Sequence, residues 1–129
     1  MKVCKFMIIG IGTDIVQISR MNKAMEKIKQ HCFTASELAY AGKSANAVQH
    51  LAGRWAAKEA FAKALGCGFG SKCSWGDLEI VNDEYGKPQM RITGSAAVTF
   101  RESGGKYVHL SISHENEYAT AFVIIEGEK

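Results

Sequence analysis

Leu51-Ala52-Gly53-Arg54-Trp55-Ala56-Ala57-Lys58-Glu59-Ala60-Phe61-Ala62-Lys63-Ala64-Leu65-Gly66 is the stretch on which the fold turns. It has no proline, a single internal glycine, and a glycine where a helix would stop. The pattern predicts a helix over residues 45–65 closed by Gly66. Ala57, Phe61, Ala64 and Leu65 define its core face. On the N-terminal side, Thr34-Ala35-Ser36-Glu37 matches a capping box, so a shorter helix starts there and Gly42 can end it. Before it, residues 16–30 are amphipathic. Ile18, Met21, Ala24, Met25 and Ile28 share one face, and Arg20, Lys23 and Lys27 share another. Residues 6–11 are short, apolar and β-branched and read as a buried strand. On the C-terminal side, Gly66, Gly68, Gly70 and Ser71 make a turn. Residues 78–81 and 89–93 read as strands, 95–103 as a helix closed by Gly104-Gly105, and 108–114 and 118–126 as a closing strand pair. Neighbouring strands late in a mixed chain predict an α+β fold with a mostly antiparallel sheet and packed helices.

Composition sets the frame for any function. The 129 residues fit a single domain spanning 1–129, with one proline, Pro88, no linker and no repeat. Apolar residues at 47% and charged residues at 22% exclude a disordered tail or a collagen-like chain. No apolar run approaches the roughly 20 residues that span a bilayer, and no signal-peptide pattern is read at the start. The net charge of +3 permits an acidic partner or a phosphorylated ligand without demanding either. Cys4, Cys32, Cys67 and Cys73 include no C-x-x-C pair, and free thiols in a reducing compartment are the expected state.

Four places can carry chemistry. In Gly10-Ile11-Gly12-Thr13-Asp14 a carboxylate follows a glycine-rich strand end. Asp14 there either caps the next helix or presents oxygen to a hard cation. A dinucleotide fingerprint would need a third glycine, and there is no G-x-x-x-x-G-K-[ST] loop. Glu59 and Lys63 lie four apart, about 40° around a helix. They read as a surface ion pair, or as a metal-binding carboxylate beside a phosphate-binding cation. His114, closing Ser111-Ile112-Ser113-His114, is an ordinary strand-end histidine or a phosphate donor and proton shuttle. The stripe Arg20, Lys23 and Lys27 is a solvated face, or a dock for an acidic protein or a nucleic acid. Without interleaved aromatics the nucleic-acid reading is the weaker.

Taken in order, these pieces resemble one family. Ile9-Gly10-Ile11-Gly12-Thr13-Asp14-Ile15-Val16 through Arg20, then Phe33-Thr34 with Glu37-Leu38, then the helix quoted above, then Gly86-Lys87-Pro88, then His109 to His114 resemble the bacterial holo-acyl-carrier-protein synthases. The resemblance covers nearly all of residues 7–126. Residues 1–6 precede the usual start, so Met7 is an alternative initiator and 1–6 an extension. The resemblance implies a 4′-phosphopantetheinyl transferase-like fold and a cytoplasmic enzyme of fatty acid biosynthesis. Coenzyme A would donate its 4′-phosphopantetheine arm to a serine of apo-acyl-carrier protein, releasing adenosine 3′,5′-bisphosphate.

Residue by residue, it implies Asp14 and Glu59 as Mg²⁺ ligands and Lys63 on the pyrophosphate, with Glu59 and Lys63 the catalytic pair. Arg54 and His114 would contact coenzyme A phosphates, and Arg20 and Lys27 would grip the acidic carrier. It further implies a homotrimer with active sites at subunit interfaces, and neither a nucleic-acid nor a membrane partner. The nucleophile would come from the carrier, which accounts for the lack of a nucleophile constellation in this chain. Three departures stand out: few charges over 41–50, Gln30 where a basic residue often extends the stripe, and Cys67 where a small hydroxyl residue is common. A non-catalytic module that holds an acidic protein is the alternative, with a small nucleic-acid binder behind it.

Overall fold

The computed structural model describes residues 5–129. Cys4 and the choice between Met1 and Met7 as the start lie outside the described residues. Three strands, β1 (Met7–Gln17), β4 (Gly105–His114) and β5 (Tyr118–Gly127), form an antiparallel sheet in the order β1-β5-β4. Helix α3 (Ala47–Leu65) crosses one face of it. Helices α1 (Ile18–Cys32) and α2 (Ala35–Gly42) pack on the outer side of α3. A separate hairpin of β2 (Leu78–Asn82) and β3 (Pro88–Ile92) is followed by α4 (Gly94–Glu102). The α+β expectation holds, with two sheets where one was expected.

The sheet's inner face is set by period-two alternation. Ala121, Val123 and Ile125 of β5 are fully buried against Ala56, Ala57, Ala60 and Phe61 of α3, and Ala119 against the cluster of Leu51 and Ala52. The small residues let the helix lie close. At β1 the approach leaves no room for a side chain, since a Cβ on Gly12 would sit 1.8 Å from the Ala60 carbonyl oxygen and one on Gly10 2.0 Å from that of Ala64. These glycines serve close packing, not a turn, and β1 therefore runs on to Gln17. Asp14 lies within the strand, its Cα paired with Ala121. It is not a helix cap; Gln17 takes that position, with no side-chain cap bond.

The other boundaries fall near their expected places. Gly66 closes α3 in the left-handed conformation at φ 79°, and its N–H caps the Ala62 and Lys63 carbonyls. The capping box of α2 is complete, with Thr34 Oγ1 accepting from the Glu37 N–H and Glu37 Oε1 accepting from the Thr34 N–H. On α1, Ile18, Met21 and Met25 are buried, while Arg20, Lys23 and Lys27 are exposed. One expectation needs correcting. The Phe61 side of α3 is not purely apolar, because Arg54 and Lys58, within about 60° of Phe61 around the axis, are buried there as well. Among the described residues no helix is long and apolar enough to cross a membrane. Cys32, Cys67 and Cys73 are free thiols, and burial pushes that of Cys73 up to about 12.

Candidate active site

The expected site residues fall into two clusters. The first joins β1 to α3. Lys63 Nζ donates to Asp14 Oδ1 at 2.9 Å and to the Thr13 carbonyl at 3.0 Å. The Asp14 side chain is only 12% exposed, whereas Lys63, at 54%, reaches solvent. Lys63 therefore bridges to Asp14 rather than pairing with Glu59 along the helix. Glu59 is half-buried one turn earlier on α3. Burial, and then the Asp14 charge, push its carboxyl above the usual range against the opposing pull of Lys63.

Asp14 Oδ2 is buried and has no hydrogen-bond partner. An orphaned carboxylate oxygen beside a second, electrostatically coupled carboxylate is a cost that a cation would relieve. Among the described residues no third His, Cys, Asp or Glu joins them. Two carboxylates suit Mg²⁺, which fills its other positions with water and substrate phosphate. The donor set thus fits such an ion, and Lys63 stands in for its charge against Asp14. Trp55, one turn before Glu59, continues this side of the helix; it stacks on Trp75 at 5.7 Å, and Trp75 on Phe69 at 3.8 Å.

The second cluster gathers at the opposite edge of the sheet. Arg54 is 4% exposed. Its Nη2 donates to Asn82 Oδ1 and its guanidinium lies 4.8 Å from the centre of the Tyr40 ring. Its Nε is buried without a partner. His114, in inner-face register at the end of β4, stands 5.9 Å from His50 of α3. These side chains line an open cavity of about 200 Å³. Its members come from α2, α3, β2 and β4. His50, Tyr40 and Asn82 carried no motif in the sequence; only the fold unites them.

The structure does not bring the two clusters together. Asp14 is on one edge strand and His114 on the other, with β5 between them, which makes about 10 Å across the sheet. Arg54 and Lys63 are about 13 Å apart along the α3 axis and half a turn around it. The basic stripe is nearer the first cluster in sequence, since β1 leads directly into α1 and Arg20.

A fold of this topology with a paired-carboxylate cluster and a separate cationic pocket defines a class: the chain belongs to the 4′-phosphopantetheinyl transferase superfamily, whose family model matches residues 10–123. Within it, a holo-[acyl-carrier-protein] synthase of Geotalea daltonii is 44% identical over 124 residues, covering 93% of this chain and 99% of that one. A holo-(acyl-carrier-protein) synthase of Bacillus anthracis, crystallised in complex with CoA (3′,5′-ADP), superposes with a TM-score of 0.81 at 39% identity, over 95% of this chain and 99% of that one. The corresponding synthase of Neisseria meningitidis gives a TM-score of 0.83 at 37% identity, over 92% and 98%.

Proposed function

We propose that this chain is a holo-acyl-carrier-protein synthase of the cytoplasm. It moves the 4′-phosphopantetheine arm of coenzyme A to a serine of apo-acyl-carrier protein and releases adenosine 3′,5′-bisphosphate, in support of fatty acid biosynthesis. The observation that carries this reading is the Asp14–Glu59 pair with its orphaned oxygen and Lys63 alongside. The likeness to synthases over nearly the full chain supports it.

In this reading Asp14 and Glu59 would hold Mg²⁺, which when bound would supply charge neutralisation on the pyrophosphate. Lys63, with its ammonium exposed, turns to a pyrophosphate oxygen and stabilises the charge that develops there. Arg54 and His114 anchor another phosphate of coenzyme A. Arg20 and Lys27 draw the acidic carrier to α1 and orient its serine toward the phosphorus, which supplies much of the rate. The test is the intact mass of apo-carrier after incubation with coenzyme A and Mg²⁺. A gain of one phosphopantetheine arm that disappears with chelator is the expected result. No gain on a carrier that another transferase modifies would overturn it.

The same reading makes the working unit a homotrimer with sites at subunit interfaces. The outer face of the main sheet supports this. Ile8 and Ile11 are each 66% exposed, Ile15 64% and Phe122 55%, on a face that α3 leaves uncovered. A contiguous apolar sheet face of this kind marks an interaction surface. A second copy would also bring an Arg54–His114 pocket to the Asp14–Glu59 cluster, which one chain keeps apart. Ile11→Asp with Phe122→Asp should convert the trimer, weighed by light scattering, to a folded 14.1 kDa monomer that no longer modifies carrier. An unchanged mass would remove the sheet face from the interface.

A further inference from the structure

His50 was not among the residues the sequence marked, and the proposed reading of the pocket does not use it. It projects from α3 between two rings: Tyr40 of α2 meets it edge-on at 5.9 Å, and His114 of β4 lies at 5.9 Å on a tilted plane. Arg54, one helical turn further on, lines the same cavity with a buried Nε that has no partner. Three nitrogen-bearing side chains thus converge on a space in which, among the described residues, no carboxylate takes part.

The charges around His50 can be taken element by element. From α3 the facing charge is Arg54, from β4 it is His114, and from α2 the titratable group is Tyr40. The end of β2 contributes Asn82, which accepts from Arg54. Of the two carboxylates in the β2–β3 turn, Asp83 is occupied by the N–H groups of Tyr85 and Lys87, Glu84 is exposed, and neither lines the cavity. Glu37, which also acts on Arg54, is paired with Lys58. Burial first, then Arg54, then His114, hold the imidazole of His50 below the ordinary histidine range. No opposing influence acts on it from the pocket lining.

We infer that His50 is a third, proton-operated arm of this anion pocket: it takes up a proton when a phosphate group enters and then donates to it. The inference rests on the reading that Arg54 and His114 hold a phosphate of coenzyme A. A phosphate monoester carries about −1.5 to −2 charges near pH 7, and it would reverse the sign of the field that Arg54 and His114 impose on His50. The bound form then carries more protons than the free form. Affinity consequently rises as pH falls, by up to about tenfold per pH unit for each proton taken up.

Adenosine 3′,5′-bisphosphate, titrated calorimetrically into the chelator-treated protein, isolates this pocket from the metal cluster. Running the titration in two buffers of different ionisation enthalpy counts the protons. The wild type should take up about one proton at pH 7 and bind several-fold more tightly at pH 6.5 than at pH 8. His50→Gln should lose half or more of that uptake and flatten the pH dependence, with its affinity loss concentrated at pH 6.5. His50→Phe keeps a ring against Tyr40 and should behave in the same way, which guards against a packing defect in the first variant. Wild-type uptake and slope in either folded variant would overturn the role of His50. Arg54→Ala separates the two levels: unchanged affinity in that variant would overturn the pocket reading itself, whereas lost affinity with normal proton uptake in His50→Gln would overturn only the inference.

Discussion

Glu59→Gln is expected to lower carrier modification by about 10³-fold, equivalent to about 4 kcal/mol of lost transition-state stabilisation, without loss of the fold. The size follows from the donor count. Among the described residues only Asp14 and Glu59 are available to a metal in this cluster, so replacing one carboxylate by an amide removes half of these charged ligands. The stability effect should run the other way. Burial and the Asp14 charge raise the Glu59 carboxyl above the value it has in the unfolded chain. Its ionised form is thus less favourable in the fold, and the stability contributed by the neutral form is present at low pH and lost as pH rises through the folded-state value. Glutamine keeps the shape of the neutral form. Chelated Glu59→Gln should therefore melt at or above the temperature of chelated wild type. Added Mg²⁺ should raise the wild-type melting temperature and leave that of the variant unchanged. Wild-type turnover in the variant would withdraw Glu59 as a ligand. A metal-induced shift that survives the substitution would place the ion elsewhere.

What the chain declares locally, and what only its tertiary structure determines, divide along physical lines. Gly66 and the Thr34–Glu37 box were legible because a helix terminus is specified by the few residues around it. The alternation of β4 and β5 was legible because one face is covered and the other is not. Strand β1 was cut short in the reading because Gly10 and Gly12 look like turn residues. Their purpose is to admit the α3 backbone, which no local signal reports. The burial of Arg54 and Lys58 on α3 was not legible for a related reason. Periodicity detects one apolar side, but α3 is enclosed on several, and Arg54 and Lys58 are buried because Asn82 and Glu37 meet them from distant parts of the chain. Asp14, Glu59 and Lys63 converge as their spacing allowed, whereas Arg54 and His114, on the other edge of the sheet, form a pocket of their own with His50.

The second large effect is expected at Lys58, next to Glu59 on the helix and far from solvent. Lys58 Nζ donates to Glu37 Oε1 at 2.6 Å and to the Cys32 carbonyl at 2.8 Å, with both side chains of the pair fully buried. Glu37 accepts in addition from the N–H groups of Thr34, at 2.9 Å, and Ile80, at 2.8 Å. One carboxylate therefore ties α2, α3 and β2 together. Removing one partner of such a pair leaves a buried charge uncompensated, and costs about 3–5 kcal/mol. Glu37→Ala also orphans the Ile80 N–H, so it should sit at the upper end of that range, above Lys58→Met. Against a total stability of about 5–15 kcal/mol for a domain of this size, this is a large fraction. Burial already pulls the Lys58 ammonium below the ordinary lysine range, and Glu37 opposes that pull. Without Glu37 it falls further. The unfolded chain then binds more protons than the folded one at alkaline pH, so the stability of Glu37→Ala should rise with pH, and its deficit relative to wild type should shrink from pH 7 toward pH 10. Denaturant titrations at the two pH values measure both quantities. A deficit below about 1 kcal/mol at pH 7 would mean that the pair behaves like a surface ion pair. A deficit that does not change with pH would mean that the lost hydrogen bonds of Thr34 and Ile80, rather than the stranded ammonium, set the cost.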